Sequence, residues 1–533
     1  MSKILDILKN MLKIGRRGLK EEMEQGAWNA PLSNSLETNE DTISNAFGHS
    51  GDLVLRRLRL GSAHKHEILL VYIDGLVDNN LISTAVIKGI LSSSKRVSLG
   101  SPIDFLQEQM ILAGSVKRVS DLMEVLGGIS TGHCVVLVED YCEALVCGVQ
   151  GAEHRGIQEP TTEVVVRGPK EGFTEVLRIN TAMLRRKIGS PRLWFEEREV
   201  GTISKTKVSI AYIKGVASQS IVEEVRRRIE RITTDTINES GQLEEYIEDA
   251  PLSPFPTLIR TERPDRVAGE LMEGRVAILT NGTPFALILP ATFSMYLTAS
   301  EDYYERYTVG SALRFLRLIT FFLSLTFPSI YVAITTFHQE MLPTSLVLAI
   351  AAQREGVPFP AVVEALLMEV AFEILREAGV RLPMVIGPAI SIVGVLILGQ
   401  AAVEASLVSS AMIIVVAVTA IASFTTPIYS LGISVRLLRF PLIILASTLG
   451  LFGVFVGLFM LLIHLCSLRS FGVPYLEPLA PVVFSDFKDV MIRAPWWAMD
   501  TRPGLIWTER PTLQEKQLKP RPPKAPRKRR KGE

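Results

Sequence analysis

The distribution of apolar residues divides the chain into two regions. Up to about residue 310, apolar residues come in short groups separated by charged and polar positions, as in a soluble domain. From Leu313 onward there are long apolar runs, each close to or beyond the roughly 18–20 residues that cross the hydrocarbon core of a bilayer. These runs are Leu318–Phe337, Met384–Ala402, Leu407–Phe424 and Pro441–Leu465. The pattern predicts an α-helical integral membrane domain behind a large soluble region.

A further apolar stretch, Phe359–Arg376, has helical spacing but carries carboxylates. An ionisable group at membrane depth costs on the order of 3 kcal/mol or more, so such groups usually face protein or water and mark a pathway. At 100° per residue, Glu369, Glu373 and Glu377 lie at about 140°, 180° and 220° from Glu364. Glu369, Glu373 and Glu377 therefore form one stripe, a candidate ion pathway. Glu364, a further candidate, faces a different side of the helix.

If this stretch lines a pore, the stripe would become a carboxylate ring that concentrates cations in a ring of subunits. Two other interpretations of the stretch stay open. Alternatively, the stretch is an interfacial amphipathic helix in which Glu373 pairs with Arg376 at i,i+3. It could also form a contact with a partner subunit.

The topology signals conflict. A basic C-terminal tail and a long N-terminal region without a signal peptide both favour the cytoplasm, which requires an even number of crossings, and four spans satisfy it. Arg436 and Arg439 also favour the cytoplasm, and counting Phe359–Arg376 as a crossing would place them there but move the tail outside. We expect both ends inside, with residues 341–376 either re-entrant or paired into two crossings.

The soluble region contains an internal duplication. Tyr72-Ile73 and Tyr212-Ile213 match at an offset of 140 residues, and a strand–turn–strand unit repeats at an offset of 142 residues. The sequence therefore predicts an α+β region of two similar mixed subdomains. The matching segments are Glu67–Val77 with Lys207–Val216, and Gly132–Gly148 with Gly274–Leu289.

Composition shifts along the chain predict its domain boundaries. The predicted segments are an amphipathic and linker segment (1–64), subdomain 1 (65–150), a charged connector (151–206), subdomain 2 (207–310), the membrane domain (311–466), a juxtamembrane aromatic segment (467–512) and a basic disordered tail (513–533). Several connector charges are candidates for pairs between subunits, although salt bridges that tie the two subdomains together would explain them equally well. They are Glu159, Glu163, Arg167, Arg185 and Arg186.

Composition and motifs narrow the function. The net charge of the whole chain is only +1. For the basic tail, we favour attraction to anionic membrane lipids over nucleic-acid binding. The four cysteines have no metal-ligand spacing, and neither a zinc site nor a disulfide framework is predicted. Phosphate-binding loops, nucleophile elbows and HExxH motifs are absent from the sequence. We therefore expect neither an enzyme nor a cofactor.

The connector carries the most specific pattern in the chain. It contains Glu159-Pro160-Thr161-Thr162-Glu163, then Arg167-Gly168-Pro169, Asn180 and Arg185-Arg186. With Gly282-Thr283-Pro284-Phe285 and Arg469-Ser470-Phe471-Gly472 further on, this series resembles the GerA family of spore germination proteins, the A subunits of germinant receptors. The resemblance covers roughly residues 65–500; stage V sporulation AF proteins form a close paralogue group with the same motifs.

The resemblance implies a multi-pass protein of the spore inner membrane with a cytoplasmic N-terminal region. It implies a homo-oligomer, a ring, that conducts cations when nutrient binds. It also implies two partners, a multi-span B subunit that binds the nutrient and a C subunit that is a lipoprotein. A non-conducting scaffold for these partners is the alternative function, and a solute transporter is disfavoured because the duplication lies outside the spans.

Overall fold

The chain forms two compact units in a computed structural model. A first, α/β unit contains the residues before Leu252 with Thr257–Ala291 and Arg469–Gly472, and a second, helical unit contains Leu252–Pro256, Thr292–Leu468 and the residues from Val473. The structure describes residues 30–60, 66–88, 90, 102–109, 115–151, 159–160, 163, 165–381, 397–490, 492–504, 506, 508–514 and 518–520.

The α/β unit contains two five-stranded sheets with the same strand order, β1-β2-β4-β5-β3 and β6-β7-β9-β10-β8, in which neighbouring strands pair antiparallel. This shared order confirms the internal duplication. The first sheet consists of β1 (Leu53–Leu60), β2 (His66–Ile73), β3 (Val116–Val119), β4 (Cys134–Val138) and β5 (Ala144–Cys147). The second consists of β6 (Leu193–Val200), β7 (Thr206–Ile213), β8 (Ile259–Thr261), β9 (Val276–Thr280) and β10 (Ala286–Leu289).

Helices cover the sheets. For the first sheet, separate clusters of buried apolar side chains lie on its two faces, so that β4 and β5 are buried along their whole length. The helices of this unit are α1 (Leu36–Ala46), α2 (Asn79–Leu81, continued by a π-helical turn over Ile82–Ile87), α3 (Pro102–Gln109), α4 (Leu122–Ser130), α5 (Leu177–Lys187), α6 (Gln219–Glu230), α7 (Ser240–Ile247) and α8 (Pro264–Met272).

The repeat is longer than the sequence predicted. Each copy opens with a helix, α1 or α5, and an edge strand, β1 or β6, before the first segment that the sequence matched. The predicted linker 1–64 and connector 151–206 thus each contain a strand of a sheet, β1 and β6. The equivalent turns after β2 and β7 each contain a glycine in a left-handed backbone conformation, with φ of 88° at Gly75 and 78° at Gly215.

The helical unit is built around two long helices. Tyr307–Phe337 and Tyr429–Ser467 are the two described helices that are long and apolar enough to cross a membrane, and Ser410–Ser423 is a shorter apolar helix. Most of the predicted span Met384–Ala402 lies outside the described residues. The helices are α9 (Phe293–Leu297), α10 (Glu301–Tyr304), α11 (Tyr307–Phe337), α12 (Thr344–Arg354), α13 (Ala361–Arg381), α14 (Ala402–Glu404), α15 (Ser410–Ser423) and α16 (Tyr429–Ser467). Two short strands, β11 (Arg469–Ser470) and β12 (Val473–Pro474), follow α16 along the chain.

Helix α16 is a helical hairpin rather than one straight rod. Gly450, near its middle, has φ 63° and ψ −145°, which is not a helical conformation. A Cβ atom at Gly453 would overlap the carbonyl oxygen of Leu445, and one at Gly457 would overlap the side chain of Leu442. In a straight helix, Leu442 and Gly457 would be about 22 Å apart at 1.5 Å per residue. The two halves, which we call the first arm (429–449) and the second arm (451–467), therefore pack antiparallel.

This hairpin corrects the expected last span. Pro441–Leu465 does not form a single crossing, because the turn at Gly450 lies inside it. At 1.5 Å per residue the first and second arms are about 31 and 25 Å long, close to the thickness of a hydrocarbon core. Each arm thus has roughly the length of a separate crossing.

The order of contacts gives the direction of α13. Glu369 pairs with Arg439 of the first arm. Ala361, which precedes Glu369, packs in one cluster with Ile443, which follows Arg439. Helix α13 therefore runs antiparallel to the first arm and lies beside its middle.

Candidate functional site

Glu369 lies in the interior of the helical unit and pairs with one arginine. Nη1 of Arg439 donates a hydrogen bond to Oε2 of Glu369, and Nε of Arg439 donates to the carbonyl oxygen of Ser324 at 2.9 Å. The three residues are 1–2% exposed. A single guanidinium thus connects α13, the first arm and α11.

Glu364 is buried as well, but in a different environment. Its Oε2 accepts hydrogen bonds from the backbone N–H of Ser409 at 2.9 Å and from the Ser409 hydroxyl at 2.8 Å. Ser409 is the N-cap of α15, where a negative charge is favourable. Arg354 lies 3.4 Å from the other carboxylate oxygen. As the helix angles predicted, Glu364 and Glu369 have separate partners.

The other two glutamates of α13 pair within their own helix. Glu373 pairs with Arg376 at i,i+3, the arrangement that the interfacial interpretation requires, and Glu377 pairs with Arg381 at 2.6 Å. The side chain of Glu377 is 66% exposed. From Glu369 to Glu377 the predicted stripe thus passes from the interior to the surface.

The orientation of α13, with Glu369 buried and Glu377 exposed, decides which face of the helix could line a pathway. In this conformation Glu369 is buried within its own subunit, away from the exposed face of α13, and its place in an ion pathway stays a prediction. The exposed face carries an apolar stripe at spacings of four, three and four residues. It consists of Val363, Leu367, Val370 and Ile374.

Arg185 of the connector is buried in the core of the α/β unit. Its Nε and Nη2 donate to the two oxygens of Asp52 at 2.8 and 2.9 Å. The guanidinium lies 5.4 Å from the ring centroid of Phe47 and 4.8 Å from that of Phe195. Since Asp52 precedes β1 and Phe195 lies in β6, Arg185 ties the two subdomains together. This pair is a salt bridge within the chain, the alternative that the sequence left open beside a subunit interface.

Glu163 also has its partners within the chain. Its carboxylate accepts hydrogen bonds from the Thr261 hydroxyl and, at 3.4 Å, from Arg266, while its carbonyl oxygen accepts from Arg263 at 3.0 Å. Burial raises the pKa of Glu163, and the charge of Arg266 opposes this shift. With its side chain 11% exposed, Glu163 fastens the connector to the edge of the second subdomain, as the alternative of salt bridges within the chain requires, and a role at a subunit interface stays a prediction.

The remaining connector charges lie nearer the surface. Glu159 pairs with Lys170 at 3.3 Å, and Arg167 is exposed. Arg186 lines a cavity of about 260 Å³ between α5 and the turn that follows β2, together with Arg178. A role of Glu159, Arg167 and Arg186 at a subunit interface stays a prediction.

The C-terminal segment packs against the beginning of α11. Asp302 is fully buried and accepts hydrogen bonds from Arg314 at 3.2 Å and from Arg317 at 2.6 Å. Arg314 also donates to Asp489 at 2.7 Å. Arg314 is therefore shared between α10 and a segment that the sequence predicted to lie at a membrane interface.

A short strap of residues 252–256 contacts both arms of the hairpin. The Ser253 hydroxyl lies 2.8 Å from Nε2 of His464 in the second arm, and Ser434 in the first arm donates to the carbonyl oxygen of Pro254. These contacts hold the open end of the hairpin together. Sequence reasoning missed the strap, because it reads as an ordinary proline-rich loop.

Sequence reasoning also missed the role of Arg439. It was treated, with Arg436, as a signal of topology, although an arginine within an apolar run usually has an acidic partner. Glu369 was one of several glutamates in the apolar stretch of α13, and the sequence alone did not show which of them is that partner.

Glu244 in α7 gives the α/β unit a predicted pH dependence. Burial, assisted by nearby Glu248 and Glu239, raises its pKa to about 7, against the opposing charge of Arg260. Because the folded state binds this proton more tightly than the unfolded state, stability should fall as the pH rises from about 4.5 to about 7. Unfolding curves at several pH values should show this slope, and Glu244→Gln should flatten it. An unchanged slope in the variant would contradict the assignment.

Comparison with known protein families shows to which family this chain belongs. The family model for the Bacillus/Clostridium GerA spore germination protein matches residues 41–505. The chain belongs to the GerA family. This confirms the resemblance seen in the connector motifs, and the match begins before the segment that the motifs covered.

Named relatives of this GerA-family protein cover most of its length. Spore germination protein KA of Bacillus subtilis (strain 168) is 46% identical over 491 residues, covering 92% of this chain and 90% of that protein. Spore germination protein A1 of the same organism is 40% identical, with coverages of 86% and 92%. Spore germination protein GerLA of Bacillus cereus is 36% identical, with coverages of 90% and 96%.

Similarity to a solved structure is found as well. It is the crystal structure of the N-terminal domain of the A subunit of the Bacillus megaterium spore germinant receptor GerK3. It is 34% identical, with a TM-score of 0.41, and the match covers 50% of this chain and 98% of that one.

Proposed function

We propose that this GerA-family protein is the A subunit of a nutrient germinant receptor in the spore inner membrane, and that its copies associate through α13 into a cation channel. A multi-span B subunit would bind the nutrient and a lipoprotein C subunit would complete the receptor. Nutrient would act by binding more tightly to the complex with an open channel than to the closed one.

The observation that carries this proposal is the exposed face of α13. One side of the helix is buried against α11, α15 and the first arm, so α13 is fixed in its subunit. The opposite side exposes Val363, Leu367, Val370 and Ile374, whose 3–4 spacing is that of helices packing around a common axis. Copies arranged in this way would surround an apolar constriction, which can close a pore by excluding water.

Glu377 supports the choice of cation over anion. It follows the apolar stripe directly and is the exposed carboxylate of the four candidates. In a ring, its copies would attract cations at one mouth of the constriction. The pathway would thus be formed by the apolar stripe and Glu377, and no longer by Glu369.

The helix directions are compatible with an even number of crossings. Ser409 at the start of α15 meets Glu364 near the start of α13, while Thr425 beyond the end of α15 bonds Thr320 near the beginning of α11. Helices α13 and α15 therefore run in the same direction. Counting the span that the sequence predicts at Met384–Ala402, most of which lies outside the described residues, together with α11, α13, α15 and the two arms gives six crossings, and on this proposal both ends would lie on the cytoplasmic side.

The proposal predicts a leak from one substitution but not from its matched control. Ile374→Ser should hydrate the constriction and give constitutive potassium efflux from liposomes that contain the purified protein. Ile421→Ser on α15 alters an isoleucine of similar exposure, 67% against 64%, away from the proposed axis and should stay closed. In the leaking background, Glu377→Gln should lower the preference for potassium over chloride.

A non-conducting scaffold is the rival function. It predicts no efflux from liposomes with either isoleucine variant, even when the protein is folded and inserted. Equal efflux with both variants would place the pathway somewhere other than the stripe on α13. Either result would overturn the channel proposed here.

A further inference from the structure

A proline interrupts α11 at a buried position. In an α-helix the N–H of each residue bonds the carbonyl oxygen four residues earlier, and proline has no N–H. Pro328 therefore leaves the carbonyl of Ser324 without its regular donor. Ser324 is 1% exposed, so water does not replace that donor.

The side chain of Arg439 supplies a donor at this carbonyl. Its Nε lies 2.9 Å from the Ser324 oxygen, and its Nη1 pairs with Glu369 on α13. Guanidinium N–H groups point in fixed directions, so one arginine can serve two partners at once, which a lysine ammonium does less well. The contact thus links the proline site of α11 to the position of α13.

We infer that Arg439 is the latch of a hinge in α11: it caps the carbonyl freed by Pro328 and, through Glu369, holds α13 against the hinge. Proline sites are where helices bend. While the latch is closed, α11 and α13 keep one relative position. When Arg439 withdraws, both the Ser324 carbonyl and the Glu369 carboxylate lose their donor, and the two helices are released together.

Unused hydrogen-bonding capacity at the latch is consistent with a second arrangement. Among the residues that the structure describes, Oε1 of Glu369 and Nη2 of Arg439 are buried and have no hydrogen-bond partner. A buried ion pair that is only partly satisfied is a weak source of stability. Such a pair suits a contact that is made and broken better than one that only holds the fold together.

The inference is tested by hydrogen–deuterium exchange of the full chain in detergent, which does not require conduction. Arg439→Met should speed the exchange of amides in residues 329–336 roughly tenfold or more, because the freed carbonyl and the unpaired carboxylate both favour local opening. Pro328→Ala restores the N–H for Ser324. In that background, Arg439→Met should speed exchange in α11 by only about threefold or less.

Arg439→Lys separates a latch from a counter-ion. Lysine keeps the charge opposite Glu369 but not the forked geometry, so exchange in α11 should remain fast while the protein stays folded. Should Arg439→Met fail to fold, the lysine variant in both Pro328 backgrounds carries the test. Wild-type exchange with lysine, or equal acceleration with and without Pro328, would show that Arg439 only neutralises Glu369 and would overturn the latch.

The consequence for conduction rests on the proposed channel. If the latch holds the closed state, Arg439→Met should raise potassium efflux from liposomes at least severalfold, as Ile374→Ser does. If no variant shows potassium efflux but hydrogen–deuterium exchange behaves as expected, the channel proposal is contradicted and the latch is supported. If Ile374→Ser shows efflux but exchange is unaltered in Arg439→Met, the latch is contradicted and the channel proposal is supported.

Discussion

Replacing Arg185 with methionine is expected to destabilise the α/β unit by about 3–5 kcal/mol, because it leaves a buried carboxylate without its partner. Asp52 is 5% exposed, and both of its oxygens accept hydrogen bonds from Arg185. Methionine also removes the guanidinium from the rings of Phe47 and Phe195. The two subdomains would lose the contact that joins them at this point.

Urea-unfolding curves of the detergent-solubilised chain would measure this loss. The matched control is Arg198→Met, since Arg198 pairs at the surface with Glu230 at 3.8 Å and should cost less than about 1 kcal/mol. Replacing both partners, Asp52→Leu with Arg185→Met, should recover much of the stability. If Arg185→Met costs no more than Arg198→Met, the junction does not depend on this ion pair.

Adding one methyl group at Gly453 is expected to disrupt the helical hairpin. The new Cβ atom would overlap the carbonyl oxygen of Leu445 in the opposite arm, and a backbone atom cannot move aside as a flexible side chain can. Overpacking of this kind typically costs about 1–3 kcal/mol. We therefore expect Gly453→Ala to lower the thermal unfolding midpoint of the detergent-solubilised protein.

The hairpin contains its own control. Gly432 lies in the same helix, and a Cβ atom added there meets no other atom within 4 Å. Gly432→Ala should be neutral or slightly stabilising, by up to about 1 kcal/mol, because alanine favours a helix. Equal midpoints for the two alanine variants would mean that the arms do not pack closely at Gly453.

The sequence predicted the duplication of the α/β unit but not its full extent. The central strands β2, β4, β7 and β9 are apolar and are followed by turns with shared residues, so they could be matched. The edge strands β1 (LVLRRLRL) and β6 (LWFEEREV) mix apolar residues with charged residues that are mostly exposed. Their composition therefore resembled that of a charged connector.

For the glutamate helix, the angles between side chains could be predicted from the sequence, whereas the orientation of the helix could not. Which face turns inward depends on Arg439, Ser409 and the cluster around Ile443, all of them distant along the chain. The hairpin was hidden for a related reason. A hydropathy profile measures length and apolarity, and a turn formed by a single glycine, Gly450, alters neither of them.

The hairpin also bears on how the protein enters the membrane during synthesis. Because the arms pack against each other through Gly453 and Gly457, they can insert as a pair, with the turn leading and both open ends left on the side from which they entered. With the topology proposed above, residues 516–531, which contain many lysines and arginines, would not have to be transferred through lipid. A single span in the same place would have required that transfer, against the electrostatic barrier that keeps basic segments in the cytoplasm.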